Sequence, residues 1–207
     1  MKLILVRHGQ TVWNREKRIQ GVTDIELSKR GRAQVVSLAR SLQNEKIDSI
    51  ISSPLKRAIQ TAEAINHFHR LPIELEEGLM ELNMGDFEGV TFRELLQDHG
   101  DFLQRWINDP GSVVMPGVGG ESLAELQKRA WGVVERILEI PGTILFTAHN
   151  FTIMTILCKV KELNLSQINQ VHVDVASRTL VEFLHGRGNI ISFNDIEHLA
   201  DCKKIIG

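Results

Sequence analysis

At 207 residues the chain is long enough for one well-buried α/β domain, or at most two small ones. Its hydrophobic content of 43% and charged content of 24% are those of an ordinary globular protein. The formal net charge of −2 gives no general attraction to nucleic acid or an anionic membrane, so any anion site must be local. Cys158 and Cys202 lack metal-ligand spacing and are too few for a disulfide framework, which fits a reduced, cytoplasmic setting. The N-terminus enters a strand directly, leaving no room for a signal peptide, and no apolar run approaches membrane-spanning length.

The first element is a buried strand over Leu3-Ile4-Leu5-Val6, brief and ending at Gly9. Arg7 and His8 therefore stand side by side at a strand's carboxyl end, where open α/β sheets bind ligands. Arginine offers a donor fork matched to phosphate oxygens, and histidine offers a nitrogen that serves as base, ligand or nucleophile. Together they point to a bound phosphate next to something that attacks it.

A loop over residues 9–27 follows, then a helix from an N-cap at Ser28 to about Asn44, with Ala33, Val36, Ala39 and Leu42 at helical spacing. Asp48–Ile51 reads as a second strand, ending in Ser52-Ser53-Pro54. Pro54 suits the first turn of a helix carrying Ala58, Ala62 and Ile65. Pro72–Leu75 is a third strand. Thr91–His99 and Asp101–Asn108 read as short helices, followed by a Pro/Gly-rich loop from Pro110 to Gly120. Residues 88–120 thus form an insertion over the ligand edge of the sheet rather than a second domain. A helix over Ser122–Leu138, a strand over Thr143–Thr147 and a helix over His149–Lys159 come next. Arg178–Leu184 and Asn189–Phe193 form a strand pair joined by residues 185–188. The alternation implies one domain, residues 1–207, of α/β class, with a mostly parallel central sheet and helices on both faces.

Several motifs run in order along nearly the whole chain. They are Arg7-His8-Gly9 with Thr11 and Asn14, Gln20-Gly21, the stretch Asp24 to Gly31, and Ser52 to Ala58. Gln60-Thr61-Ala62, Glu81, Gly85, Glu88-Gly89, Gly120-Glu121-Ser122 and His149 follow. In this combination the chain resembles the histidine phosphatase superfamily, which includes the phosphoglycerate mutases. The resemblance implies the phosphoglycerate mutase-like fold and a phosphohistidine formed on His8. A neutral imidazole attacks phosphorus in line, and neighbouring arginines disfavour imidazolium.

Arg57, just after Pro54, offers a second fork on the same phosphate. Charge-assisted hydrogen bonds contribute about 1.5–3 kcal/mol each, so two arginines hold a dianion without metal. The chain shows no metal site and the family needs none, so no metal or cofactor is expected. His149 follows a strand at the start of a helix, placed to donate to phosphoryl oxygens opposite Arg7. The resemblance puts the general acid at Glu81, with Asp86 and Glu88 as rivals, and polar contacts at Asn14, Gln20 and Gly21. Many family members have His-Gly where this chain has His149-Asn150; Asn150 keeps its amide, and its side chain is expected either to add a donor or to narrow the pocket.

The expected activity is metal-independent hydrolysis of a small phosphorylated metabolite such as phosphoserine or α-ribazole phosphate. Phosphoglycerate mutase is the alternative; its bisphosphoglycerate-dependent members carry Arg-His-Tyr-Gly after the acid, where this chain has Leu82-Asn83-Met84-Gly85 and no tyrosine anywhere. A second alternative is a non-catalytic phosphate-binding module. Dinucleotide binding at Gly117-Val118-Gly119-Gly120 fails on spacing and on Pro116 in place of a strand. Arg93 and Arg105 are candidates for a substrate carboxylate, or plain helix-surface charges. His198 is a candidate to close over the site, or a surface residue. No nucleic-acid or membrane partner is expected, and the pattern leaves room for a homodimer.

Overall fold

The computed structural model describes residues 1–200; Cys202 lies outside them. The first strand, β1 (Lys2–Arg7), sits in the middle of a six-stranded sheet because both of its faces are apolar. Leu3 and Leu5 point into one core and Ile4 and Val6 into the other, as the two-residue period of a strand requires. A strand buried on both faces reads as an unbroken apolar run, which is why this one was visible in the sequence.

The sheet is completed by β2 (Ser49–Ser52), β3 (Ile73–Leu75), β4 (Thr143–Ala148), β5 (Arg178–Leu184) and β6 (Arg187–Asp195), in the order β3-β2-β4-β1-β5-β6. β3, β2, β4 and β1 run parallel, and β5 joins β1 antiparallel. The expected loop over residues 185–188 is shorter than predicted. His185 and Gly186 alone make the turn, both with positive φ (51° and 77°), the geometry that closes a two-residue hairpin.

One face is covered by α2 (Lys29–Leu42) and α3 (Lys56–His69), whose Leu38, Leu42, Ala62 and Ile65 pack on Ile4, Ile50 and Leu145. Ser28 caps α2 as expected, its Oγ accepting from Gly31 N at 3.0 Å. The other face carries α6 (Leu123–Ile137) and α7 (Asn150–Val160). A capping box between Ser122 and Glu125 starts α6. The stretch predicted as loop over residues 9–27 contains a short helix, α1 (Val12–Glu16), which buries no residue. It is held by Thr11 and Asn14 capping each other rather than by an apolar stripe, so periodicity could not reveal it.

Between β3 and α6, α4 (Phe92–Asp98) and α5 (Gly100–Asn108) add no strand to the sheet. Parallel pairing sets the ends of three neighbouring strands level. Arg7 aligns with Ala148, and Ser52 with Thr147. The next residues, His8, Ser53 and His149, therefore emerge together at one edge. Among the described residues no helix is long and apolar enough to cross a membrane.

Candidate active site

His8 is 3% exposed, and its backbone is pinned on both sides: its N–H donates to Ala148 O and its carbonyl accepts from Ala176 N. Nδ1 lies 2.7 Å from Gly9 O. A carbonyl only accepts, so Nδ1 carries the proton and Nε2 keeps its lone pair. Burial, and then the positive charges of Arg57 and Arg7, hold His8 well below the ordinary imidazole range. The ring is neutral at pH 7.

Arg7 Nη1 donates to Asn150 Oδ1 at 3.0 Å and to Val173 O. Its Nε is buried and has no hydrogen-bond partner among the described residues. A buried donor without a partner is costly, so this one marks a place for an acceptor. Asn150 thus steers Arg7 while lining the cavity beside it.

Arg57 is fully buried at the start of α3. Nη2 donates to Gly21 O at 2.6 Å, Nη1 to Thr23 O at 2.9 Å, and Nε to His149 Nδ1 at 3.2 Å. Gln20 completes its surroundings. With its amide nitrogen donating to Thr11 Oγ1 (2.6 Å), its oxygen accepts from Arg57 Nε (2.7 Å) and Nη1 (3.0 Å). Burial outweighs the neighbouring carboxylates and pushes Arg57 down to about 10, which still leaves it charged. Arg57 and His149 lie beside the cavity rather than in its lining. His149 is also fully buried, held neutral first by desolvation and then by Arg57; its Nε2 faces Ser53 Oγ at 2.7 Å. The His8 and His149 ring centroids are 5.1 Å apart.

Glu81 is buried at the cavity wall. Its Oε1 accepts from Leu82 N, Phe151 N and Thr152 N at 2.9–3.2 Å, which makes it the cap of α7, a helix whose own N-cap His149 makes no side-chain cap bond. Desolvation raises its pKa despite these donors and the two arginines. The two rival carboxylates are placed elsewhere. Glu88 accepts from Val22 N and Thr23 N, both at 2.7 Å, and from the Thr23 hydroxyl. Gly21 is glycine because a Cβ there would lie 2.1 Å from the Glu88 carboxylate. Neither Glu88 nor Asp86 lines the cavity.

Of the residues singled out in the sequence, Arg7, His8, Asn14, Gln20, Glu81 and Asn150 line a cavity of about 300 Å³, with Arg57 and His149 beside it. Gly21 contributes a carbonyl to Arg57. Arg93 and Arg105 do not line the cavity. His198 is held by Ala176 O and its carbonyl by Ser37 on α2, and it is not in the cavity lining. Sequence reasoning gave no role to Ser53, although it stands in the quoted Ser-Ser-Pro run, nor to Arg129. Arg129 donates to Gly78 O, Met80 O and Glu81 O at 2.7–3.0 Å and pairs with Glu121 at 2.7 Å, fixing the loop that carries Glu81. Among the described residues, no three His, Cys, Asp or Glu side chains gather as a metal site would require.

The arrangement offers a bare imidazole nitrogen, an unpartnered guanidinium donor and a carboxyl group of raised pKa around one small cavity. The family model described as the histidine phosphatase superfamily (branch 1) matches residues 3–196. Phosphoserine phosphatase 1 of Hydrogenobacter thermophilus is 32% identical over 203 residues, 97% of this chain and 95% of that one. The solved structure of YhfR from Bacillus stearothermophilus superposes with a TM-score of 0.89 at 28% identity, covering 96% of this chain and 98% of that one. A mutant phosphoserine phosphatase from Entamoeba histolytica, solved in complex with phosphoserine, gives 0.84 at 32% identity, with 96% and 98% covered. The resemblance read from the motifs is borne out: the chain is a phosphatase belonging to branch 1 of the histidine phosphatase superfamily.

Proposed function

We propose that the protein hydrolyses a small phosphomonoester in two steps through a phosphohistidine on His8. The reading rests above all on the His8 tautomer: Gly9 O holds the Nδ1 proton, and two cations and burial keep Nε2 unprotonated. Nε2 attacks phosphorus. The N–P bond forms as the P–O bond to the alcohol breaks, and the electron pair leaves with the alcohol oxygen. Glu81, whose pKa is raised by burial, gives that oxygen its proton. Water then attacks the phosphohistidine and returns a proton to the Glu81 carboxylate; phosphate leaves and the imidazole is restored.

Arg7, through its unpartnered Nε, and Arg57 supply the positive charge that the transferring phosphoryl oxygens need. His149, whose ring nitrogens face Arg57 and Ser53, acts from beside the cavity by helping to seat Arg57, as Gly21 does through its carbonyl, while Asn14, Gln20 and Asn150 line the polar end. The reading needs no metal, so excess chelator leaves turnover unchanged.

Hydrolysis is favoured over the mutase reaction by charge. A mutase holds a second phosphate, and among the described residues the only other cation lining the cavity is Arg18, whose Nε is engaged by Glu16 and Nη1 by Gly89 O. The test is His8→Ala together with trapping of label from a phosphorylated substrate. The wild type yields an acid-labile, alkali-stable phosphoenzyme and His8→Ala yields none. Label on another residue overturns the proposal. Scoring free phosphate and isomerised 3-phosphoglycerate separately decides between hydrolase and mutase.

A further inference from the structure

The two ends of the cavity differ in chemistry. Among the described residues, Arg18 apart, the polar groups lining the cavity belong to the His8 end. The rest of the wall is apolar and largely aromatic: Phe87, Phe102, Leu103, Trp106, Met115 and Phe151. The rings form one connected surface. Phe87 meets Phe102 at 4.6 Å, Phe102 stacks on Trp106 at 6.5 Å, and Trp106 meets Phe151 edge-on at 5.6 Å. Arg18, the one cation among the described lining residues outside the His8 end, has Nε on Glu16 at 3.0 Å and Nη1 on Gly89 O at 2.9 Å.

A carboxylate carried on the leaving group would be stripped of water against this wall, where the one described lining cation, Arg18, is already paired with the Glu16 carboxylate. An uncharged ring or branched alkyl group would replace water there at a gain. We infer that this site takes phosphomonoesters of uncharged, apolar alcohols about one aromatic ring in size, in preference to phosphorylated amino or hydroxy acids. The inference rests on the phosphatase reading above. It separates this chain from the relatives whose names specify phosphoserine.

Aryl phosphates are poor probes, because a phenol leaves easily from any active site. 2-Phenylethyl phosphate is the better one, since its alcohol is no more acidic than the serine hydroxyl. The experiment compares kcat/KM for 2-phenylethyl phosphate, O-phosphoserine and 3-phosphoglycerate, in the wild type and in Trp106→Leu. The first is expected to exceed the other two by at least about tenfold. Trp106→Leu, which keeps an apolar side chain in the wall, is expected to narrow that ratio about tenfold, mainly through KM. Inhibition by inorganic phosphate, read in parallel, reports an intact His8 end. Equal or better use of O-phosphoserine or 3-phosphoglycerate overturns the inference and leaves the phosphatase reading standing. So does an unchanged ratio in both Trp106→Leu and Phe151→Leu. Release of phosphate from none of the three overturns the phosphatase reading itself.

Discussion

Arg57 Nε donates to His149 Nδ1 across 3.2 Å, and this contact decides which nitrogen of His149 carries its proton. Nδ1 accepts, so Nε2 is the protonated nitrogen and donates toward Ser53 Oγ. The same guanidinium is anchored on the carbonyls of Gly21 and Thr23. Glu88 in turn braces the backbone of that turn through Val22 N and Thr23 N. Charge, tautomer and loop position therefore depend on one side chain.

Arg57→Lys keeps the charge and loses the fork. A lysine cannot hold Gly21 O, Thr23 O and His149 Nδ1 at once. The expected result is a fall in kcat/KM of about 10²–10³, the scale for loss of an electrostatic donor. Steady-state kinetics on any accepted phosphomonoester checks it, and near-wild-type kcat/KM would show that charge alone suffices.

Glu81→Gln is expected to lower kcat by about 10²–10⁴ while inhibition by inorganic phosphate persists, because the amide cannot supply a proton. Glu88→Gln is expected to act mainly on KM and melting temperature, by loosening the turn that seats Arg57. If Glu88→Gln has the larger effect on kcat, the acid is misassigned.

Arg129 does not line the cavity, and it is expected to matter through Glu81. Arg129→Met removes three donors from the Glu81 loop and leaves the half-buried Glu121 without its ion pair. Unfolding titrations should register a loss of about 3 kcal/mol. Pairing it with Glu121→Gln recovers part of that stability. A positioning role requires that kcat stay low in the double variant; recovery of both would make Arg129 purely structural.

The buried histidines make stability pH-dependent in a defined direction. His8 and His149 sit below their unfolded value of about 6.5, so the unfolded chain binds more protons in the window beneath it. Their contribution is complete above about pH 6.5 and is lost as pH falls toward their folded values. His8→Asn, whose amide can still donate to Gly9 O, is expected to reduce the stability difference between pH 7.5 and pH 5. The reduction is about 1.4 kcal/mol for each pH unit of the window that His8 had occupied. Thermal melts at both pH values check it, and an unchanged difference would place the His8 proton differently.

Most of the sheet was legible because β1, β2 and β4 are buried on both faces and so consist of short, largely apolar runs. Capping also wrote itself into the sequence at Ser28 and Ser122. What stayed hidden was long-range or made by side chains without periodicity. Nothing local shows that Glu81 caps a helix beginning seventy residues later. Arg129 looks like any charge on an amphipathic helix until its three carbonyl partners are seen. The short α1 rests on the pairing of Thr11 with Asn14 and buries nothing. The contents of the cavity wall were illegible for a further reason: apolar residues on short helices read equally well as core.

The helices α4 and α5 contribute side chains to the cavity and no strand to the sheet. Much of the selective wall is consequently written apart from the strand ends, with Phe151, beside the His149–Asn150 pair, the part that is not. Drift in residues 92–106 redecorates the wall met by the alcohol without disturbing the strand ends that carry His8 and His149. This scaffold can thus exchange one clientele for another by editing a segment of about fifteen residues, and segment grafts between relatives are the natural way to retrace that history.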